Sequence, residues 1–276
     1  MIIFVALNSS CLRQKKRNNL RIGFTENSFD QAIAYTIKGI LDQQPGMKVD
    51  LYKVPDSTLF RALAEDELDI GISAWLPFTH QKYFEEYPYE IKKFSVICDS
   101  LGIYLLVPQY APLDKIDDLR NIASLLNYTI IIPENKNAIY HFSKEILNDY
   151  RLNDFILQES SWDNIVYFIE NAIASSEGFA FIGIRPHWIN TNYEVKSLED
   201  TRHSLGDYEQ AHLVVNIHFQ ERMPELASFL SRVKFNLTDI ENIMALNQSL
   251  GSEPYENSLR WIGNNTLKVN KWLTNN

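Results

Sequence analysis

The stretch LRIGFTENSFDQAIAYTIKGILDQQPGMKVDLYKV, residues 20–54, decides the fold class. Leu20–Phe24 is a short run of strand length. Phe29, Ile33, Ile37, Ile40 and Leu41 then recur at spacings of three and four, the period of one buried helix face. Pro45-Gly46 stops that helix. Val49–Val54 alternates apolar and polar residues, as a half-buried strand does. Strand, helix and strand in this order make a βαβ unit, and such units build mostly parallel sheets.

The alternation continues outward. Ser57 is placed to cap a helix holding Leu59, Phe60 and Leu63. Asp69–Ser73 reads as a strand, and Thr79 is placed to cap a short helix through Tyr83 and Tyr87. Ile103–Val107 is an apolar run ended by Pro108. A second series follows: a helix at Asp117–Leu126, a strand at Thr129–Ile132 and a helix at Ala138–Tyr150. Next come a strand at Phe155–Leu157, a helix at Ser161–Ala174 capped by Ser160 or Ser161, and a strand at Phe179–Ile182. Leu213–Ile217 is another strand. The C-terminal part is helical, with apolar faces at Leu226, Phe229, Leu230 and Val233, then at Ile240, Ile243, Met244 and Leu250. Trp261 and Trp272 close the chain. Two α/β series with no flexible linker predict two lobes with a ligand cleft between them, at the carboxyl ends of the strands.

Composition narrows the function. The chain has 276 residues, 45% apolar, with 15 Phe, 14 Tyr and 5 Trp to fill a core. Its formal net charge of -9 argues against a nucleic-acid surface, which needs clustered Lys and Arg. Two cysteines, Cys11 and Cys98, exclude a disulfide scaffold and a cysteine-rich zinc site. No apolar run reaches the ~18 residues of a membrane span. His80, His141, His187, His203, His212 and His218 are scattered, and no nucleophile elbow, phosphate loop or dinucleotide fingerprint is present. The residues give no case for an enzyme, a metal or a cofactor. Cys98, at the end of a strand-like SVIC, reads as a small core residue.

Three segments stand out. Ala74-Trp75-Leu76-Pro77-Phe78-Thr79-His80 precedes Tyr83. Leu105-Leu106-Val107-Pro108-Gln109-Tyr110 precedes Ile116-Asp117-Asp118-Leu119. Gly183-Ile184-Arg185-Pro186-His187-Trp188 precedes Tyr193 and Leu198-Glu199-Asp200. Together and in this order, they resemble the glycine betaine/proline betaine substrate-binding proteins of ABC transporters. The resemblance covers nearly the whole chain from Leu20 onward.

That resemblance implies a two-lobed periplasmic-binding-protein fold of the two-crossing type, closing on its ligand by hinge motion. Its crossings fall near Leu105–Pro108 and near Gly206–Glu209. Residues 20–105 with 209–276 form one lobe and 106–208 the other, while 1–19 form a leader. It also implies a quaternary ammonium solute, an ABC permease and a separate ATPase as partners. A quaternary ammonium offers no conventional hydrogen bond, so aromatic faces hold it through their quadrupoles.

The resemblance makes Trp75 a cage tryptophan and His80 a donor to the ligand carboxylate. The alternatives are a core tryptophan and a histidine on the first turn of a helix. Phe24 matches a second cage position, and a core phenylalanine at a strand end is the competing reading. Ile184 stands where the family has its third cage tryptophan. Ala138 and Ile139 align with a Gly-Ile pair whose backbone N–H groups hold the carboxylate. Trp162 is the candidate replacement for the missing ring, or else an ordinary tryptophan of its helix. His187 and Trp188 read chiefly as structural. A different ligand, or a solute sensor on the same fold, remains an alternative to import.

Residues 2–7, IIFVAL, lead through Asn8-Ser9-Ser10 to Cys11. This resembles the end of a bacterial lipoprotein signal, in which the cysteine is lipidated and anchors the protein outside the cytoplasmic membrane. Asn8 and the missing basic segment depart from that pattern. A start upstream of Met1 accounts for the missing segment, and a frayed tail with an incidental cysteine is the alternative.

Overall fold

The computed structural model describes residues 19–134, 138–249 and 251–274. The elements of the first series are β1 (Asn19–Phe24), α1 (Ser28–Leu41), β2 (Lys48–Lys53), α2 (Asp56–Ala64), β3 (Ile70–Leu76) and α3 (Gln81–Glu85). A long strand β4 (Ile91–Pro108) leads into the second series. There a 3-10 turn (Ile116–Ile122) precedes β5 (Thr129–Pro133), α4 (Ala138–Asp149), β6 (Ile156–Ser160), α5 (Trp162–Ser175) and β7 (Phe181–Arg185). After α6 (Ile189–Asn192) and β8 (Val195–Ser197), the chain returns in β9 (Glu209–Asn216). It ends in α7 (Phe219–Arg222), α8 (Pro224–Leu230), α9 (Leu237–Asn247), α10 (Pro254–Asn264) and α11 (Thr266–Leu273).

Local chemistry starts and stops these helices. Asn27 caps α1 by accepting the Asp30 N–H, and Ser161 caps α5 by accepting from Asn164. Asn236 and Asp239 form a reciprocal capping box on α9. Two expected caps differ. Ser57 lies inside α2, which begins after Pro55. His80 precedes α3, while the Thr79 hydroxyl is drawn away to Glu209. The predicted helix at Asp117–Leu126 is a short 3-10 turn.

The strands lie in the order β2-β1-β3-β9-β4-β7-β5-β6, with β8 on β4. β1, β2 and β3 are mutually parallel, as are β5, β6 and β7. β9 and β4 run antiparallel to their neighbours. β4 serves both halves: through Leu101 it pairs with β9, and from Gly102 it pairs with β7. The sequence places the first crossing near Leu105–Pro108; along β4 the pairing partner changes between Leu101 and Gly102. Residues 104–108 are buried within the second sheet, so their apolar run lies beyond the change of partner and does not mark it. The backbone marks it instead, with Ser100 at a left-handed φ of 63° and a register shift between Cys98 and Leu101. At the return crossing Gly206 takes a φ of 81°.

The cores respect this division. Leu20, Ile33, Ile72, Ile97, Leu213 and Ile240 pack in the lobe built from both chain ends. A smaller cluster around Leu59, Phe60 and Leu63 covers the other face of its sheet. Leu105, Ile132, Ile146 and Ile182 pack on one face of the second sheet, and Tyr104, Ile165, Ile169 and Phe181 on the other. Full burial of such a side chain stabilises by roughly 1.5–3 kcal/mol, so each lobe has its own driving force.

The register also orients the lobes. Leu76, at the carboxyl end of β3, lies opposite Gln210, beside the return crossing. Arg185, at the carboxyl end of β7, lies opposite Gly102, beside the first crossing. The carboxyl ends of both parallel sets therefore face the boundary between the lobes, where α/β sheets bind ligands.

Candidate functional site

Trp75 is half-buried at that end of β3. Its ring stands edge-on to Phe29 of α1, with centroids 5.3 Å apart. The turn after it is closed in both directions. The Trp75 N–H donates to His80 Nδ1 at 2.8 Å, and the His80 N–H donates to the Trp75 carbonyl at 2.9 Å. The first residue of β9 holds the same turn. The Glu209 carboxylate accepts from the Phe78 N–H (2.9 Å), the Thr79 N–H (2.7 Å) and the Thr79 hydroxyl (2.6 Å). Hydrogen bonds to a charged acceptor are the strong ones, so this loop is preset.

His80 belongs to that scaffold. Its Nε2 lies 3.4 Å from Asp56 Oδ1, and its ring packs near Phe60 and Tyr83. Burial lowers its pKa, which favours the neutral ring. Nδ1 accepts from Trp75, so the proton sits on Nε2 and faces Asp56. Both ring nitrogens are thus engaged within one lobe. In this geometry His80, the expected donor to a ligand carboxylate, accepts from the backbone of Trp75 and faces Asp56.

Phe24 also departs from its expected role. It is 4% exposed, edge-on to Tyr35, within the core of its lobe. A β1 residue that packs under α1 presents little ring to a cleft. Beside it, Asp30 accepts from the Thr25 N–H (3.1 Å) and the Thr25 hydroxyl (2.7 Å), which ties the end of β1 to α1.

In the second lobe, Ile184 is half-buried near the end of β7, opposite Ile103. Strand alternation puts it on the face of Ile182, towards α4. Ile139 is half-buried on that same face, at the start of α4. The side chain of Ala138 and residues 135–137 lie outside the described residues, as does Cys11. Trp162 opens α5 and packs with the opposite face. Its ring is stacked on His187 at 4.6 Å and 19°. The ring of Trp162 is therefore held by His187 and the cluster on that face. Burial pushes the His187 pKa down to about 4, so it stacks as a neutral ring.

The fold therefore brings Trp75 and His80 together, and Ile139 and Ile184 onto one face, but sets Trp162 with His187. Five residues at the lobe boundary were not singled out from sequence. Tyr208 stacks on Tyr104 at 5.2 Å, and Glu209 clamps the Trp75 loop. Arg185 of β7 meets the buried Glu241 of α9. Arg185 and Tyr104 do sit in or beside the quoted motifs. Glu241 and Glu209 are single acidic residues whose partners are remote in sequence.

Two α/β lobes, joined through β4 and β9 and facing each other with the carboxyl ends of their strands, have the architecture of two-lobed binding proteins. A family model for the substrate binding domain of ABC-type glycine betaine transport systems matches residues 18–264. The chain belongs to this family. The glycine betaine/carnitine transport binding protein GbuC of Listeria monocytogenes serotype 1/2a (strain 10403S) is 27% identical over 172 residues. That match covers 62% of this chain and 57% of GbuC, little more than half of the relative's length. Lactococcal OpuAC, crystallised closed with glycine betaine, superposes with a TM-score of 0.65 at 24% identity, covering 94% of this chain and 100% of that one. The glycine betaine/L-proline-binding protein ProX of Borrelia burgdorferi gives a TM-score of 0.63 at 19% identity, covering 93% and 97%. At these identities the two structures speak for the fold. Among the described residues no helix is long and apolar enough to cross a membrane.

Proposed function

We propose that this protein is the extracytoplasmic solute-binding component of an ABC importer. It captures a quaternary ammonium solute of the glycine betaine type and passes it to a permease driven by a separate ATPase. Family membership and the fold support the class. The observation that carries the ligand reading is Trp75, an aromatic residue at the carboxyl end of β3 whose backbone is held by His80 and whose following turn is held by Glu209. Preorganisation of this kind lowers the ordering cost of binding, and a desolvated cation–π contact contributes up to ~2 kcal/mol. Residues 20–101 with those from 209 onward form one lobe of the closing device, and 102–208 the other. Lipidation of Cys11 anchors the mature protein. Cys11→Ser is expected to move it from the membrane fraction to the soluble one, and unchanged partitioning would count against the anchor.

His80 favours a second reading of the ligand. With both its nitrogens engaged, a cation lacking a carboxylate, such as choline, loses nothing that glycine betaine would gain from this side chain. A thermal-shift series with glycine betaine, carnitine and choline decides between them. A ligand selective for the native state stabilises it by about 2.7 kcal/mol at a hundredfold excess over Kd. No shift with any of these cations would overturn the proposal.

A further inference from the structure

The lobes are joined by more than the two chain crossings. Glu241 of α9 is 1% exposed and belongs to the lobe formed by the chain ends. Its carboxylate accepts two hydrogen bonds from Arg185, Nε at 2.9 Å and Nη2 at 2.7 Å. Arg185 belongs to β7 of the other lobe. The same carboxylate accepts from Asn190 Nδ2 at 2.8 Å and from the His187 N–H at 3.4 Å. Thr191 Oγ1 and Asn242 Oδ1 add a contact at 3.4 Å between α6 and α9. Trp188 packs against the cores of both lobes. The joint is therefore polar at its centre and apolar at its flank.

Its position gives it meaning. Arg185 pairs with Gly102, the residue at which β4 changes lobes, and Glu209 pairs with Leu101 on the other side of β4. Three neighbouring strands thus meet at the crossing, and the backbone of Arg185, which carries the ion pair, lies one strand spacing, about 4.8 Å, from it. A contact between two rotating bodies survives the rotation only near the axis. A buried carboxylate that loses its bidentate partner is strongly disfavoured, so a joint like this is poorly suited to breaking at every turnover.

We propose that Arg185 and Glu241 are the pivot of the hinge, kept in both open and closed states, and that they confine lobe motion to one rotation. Only the affinity arm of the following test rests on the solute-binding reading. Thr191→Cys with Asn242→Cys, in a Cys11→Ser background, is joined by a short bifunctional thiol cross-linker. Cys98 is spared because it is buried, with its thiol pushed up to about 12.

A pivot predicts the same radius of gyration by small-angle X-ray scattering with and without the cross-link, and glycine betaine affinity unchanged within about threefold. Contraction on cross-linking, or loss of binding that the unlinked protein shows, would mean a latch that must open and would overturn the pivot. Should neither form bind glycine betaine, the ligand proposal fails while the scattering still decides the pivot. Glu241→Gln is the independent variant. It is expected to raise the radius of gyration with unchanged circular dichroism, and unchanged scattering of this folded variant would also overturn the proposal.

Discussion

The backbone N–H of Trp75 donates to Nδ1 of His80 at 2.8 Å, so the histidine holds the tryptophan in place. His80→Ala leaves that N–H without its partner in a part-buried setting, at a cost of about 1–3 kcal/mol. His80→Asn restores an acceptor close to the position of Nδ1. Chemical denaturation and calorimetry should therefore show both stability and solute affinity lost in His80→Ala and largely recovered in His80→Asn. A free carboxylate donor would give another pattern, with affinity lost and stability kept.

His187 makes stability sensitive to acid. Its folded pKa, about 4 through burial, lies below the usual value of 6.5. The unfolded chain then binds more protons between these values, so stability is full above pH ~6.5 and falls as pH drops towards 4. The loss at the acid end reaches about 3 kcal/mol. His187→Phe keeps a ring against Trp162 and is expected to flatten the fall, as read by denaturation at pH 7 and pH 4.5. An unchanged slope would assign the acid sensitivity elsewhere.

Glu209 links the return crossing to the tryptophan loop through three hydrogen bonds. Because the site is partly exposed, Glu209→Ala is expected to cost about 1–2 kcal/mol, below the sum for three charged bonds. It should also broaden the motion of the 77–79 turn, raising amide exchange at Phe78 and Thr79. Exchange rates equal to those of the natural protein would show that the clamp is idle.

The aromatic wall is incomplete at Ile184. Ile184→Trp is expected to tighten glycine betaine binding by up to about thirtyfold, the equivalent of ~2 kcal/mol, and Trp75→Ala to abolish it. Trp162 already faces His187, so Trp162→Ala should lower thermal stability and leave the solute Kd nearly unchanged. Calorimetry that showed Trp162→Ala weakening binding as much as Trp75→Ala would place Trp162 in the cage after all.

Much of this fold was legible from residues 20–54 outward, because strand and helix periods follow from which side chains must leave water. The first βαβ unit, the Ser161 cap and the C-terminal helices follow from near neighbours in sequence. The crossing at Leu101/Gly102 does not, since Leu101 and Ile103 flank it alike and what changes there is the hydrogen-bond partner. The motifs around Trp75 and Ile184 carried the class of protein, which needs only residue identity in order.

Roles within those motifs depend on which atoms meet. Phe24 and a cage phenylalanine are the same in sequence, and only packing under α1 against Tyr35 buries this one. His80 could offer a proton to a ligand or to its own lobe, and Asp56 and Trp75 decided it. Arg185 and Glu241 are 56 residues apart and become partners only when β7 and α9 come together. Residue order alone carried the periods, the Ser161 cap and the family, because these are local or ordered along the chain. Tertiary structure alone decided which polar groups found partners across the lobes, because hydrogen bonds and ion pairs are settled by distances that no local pattern encodes.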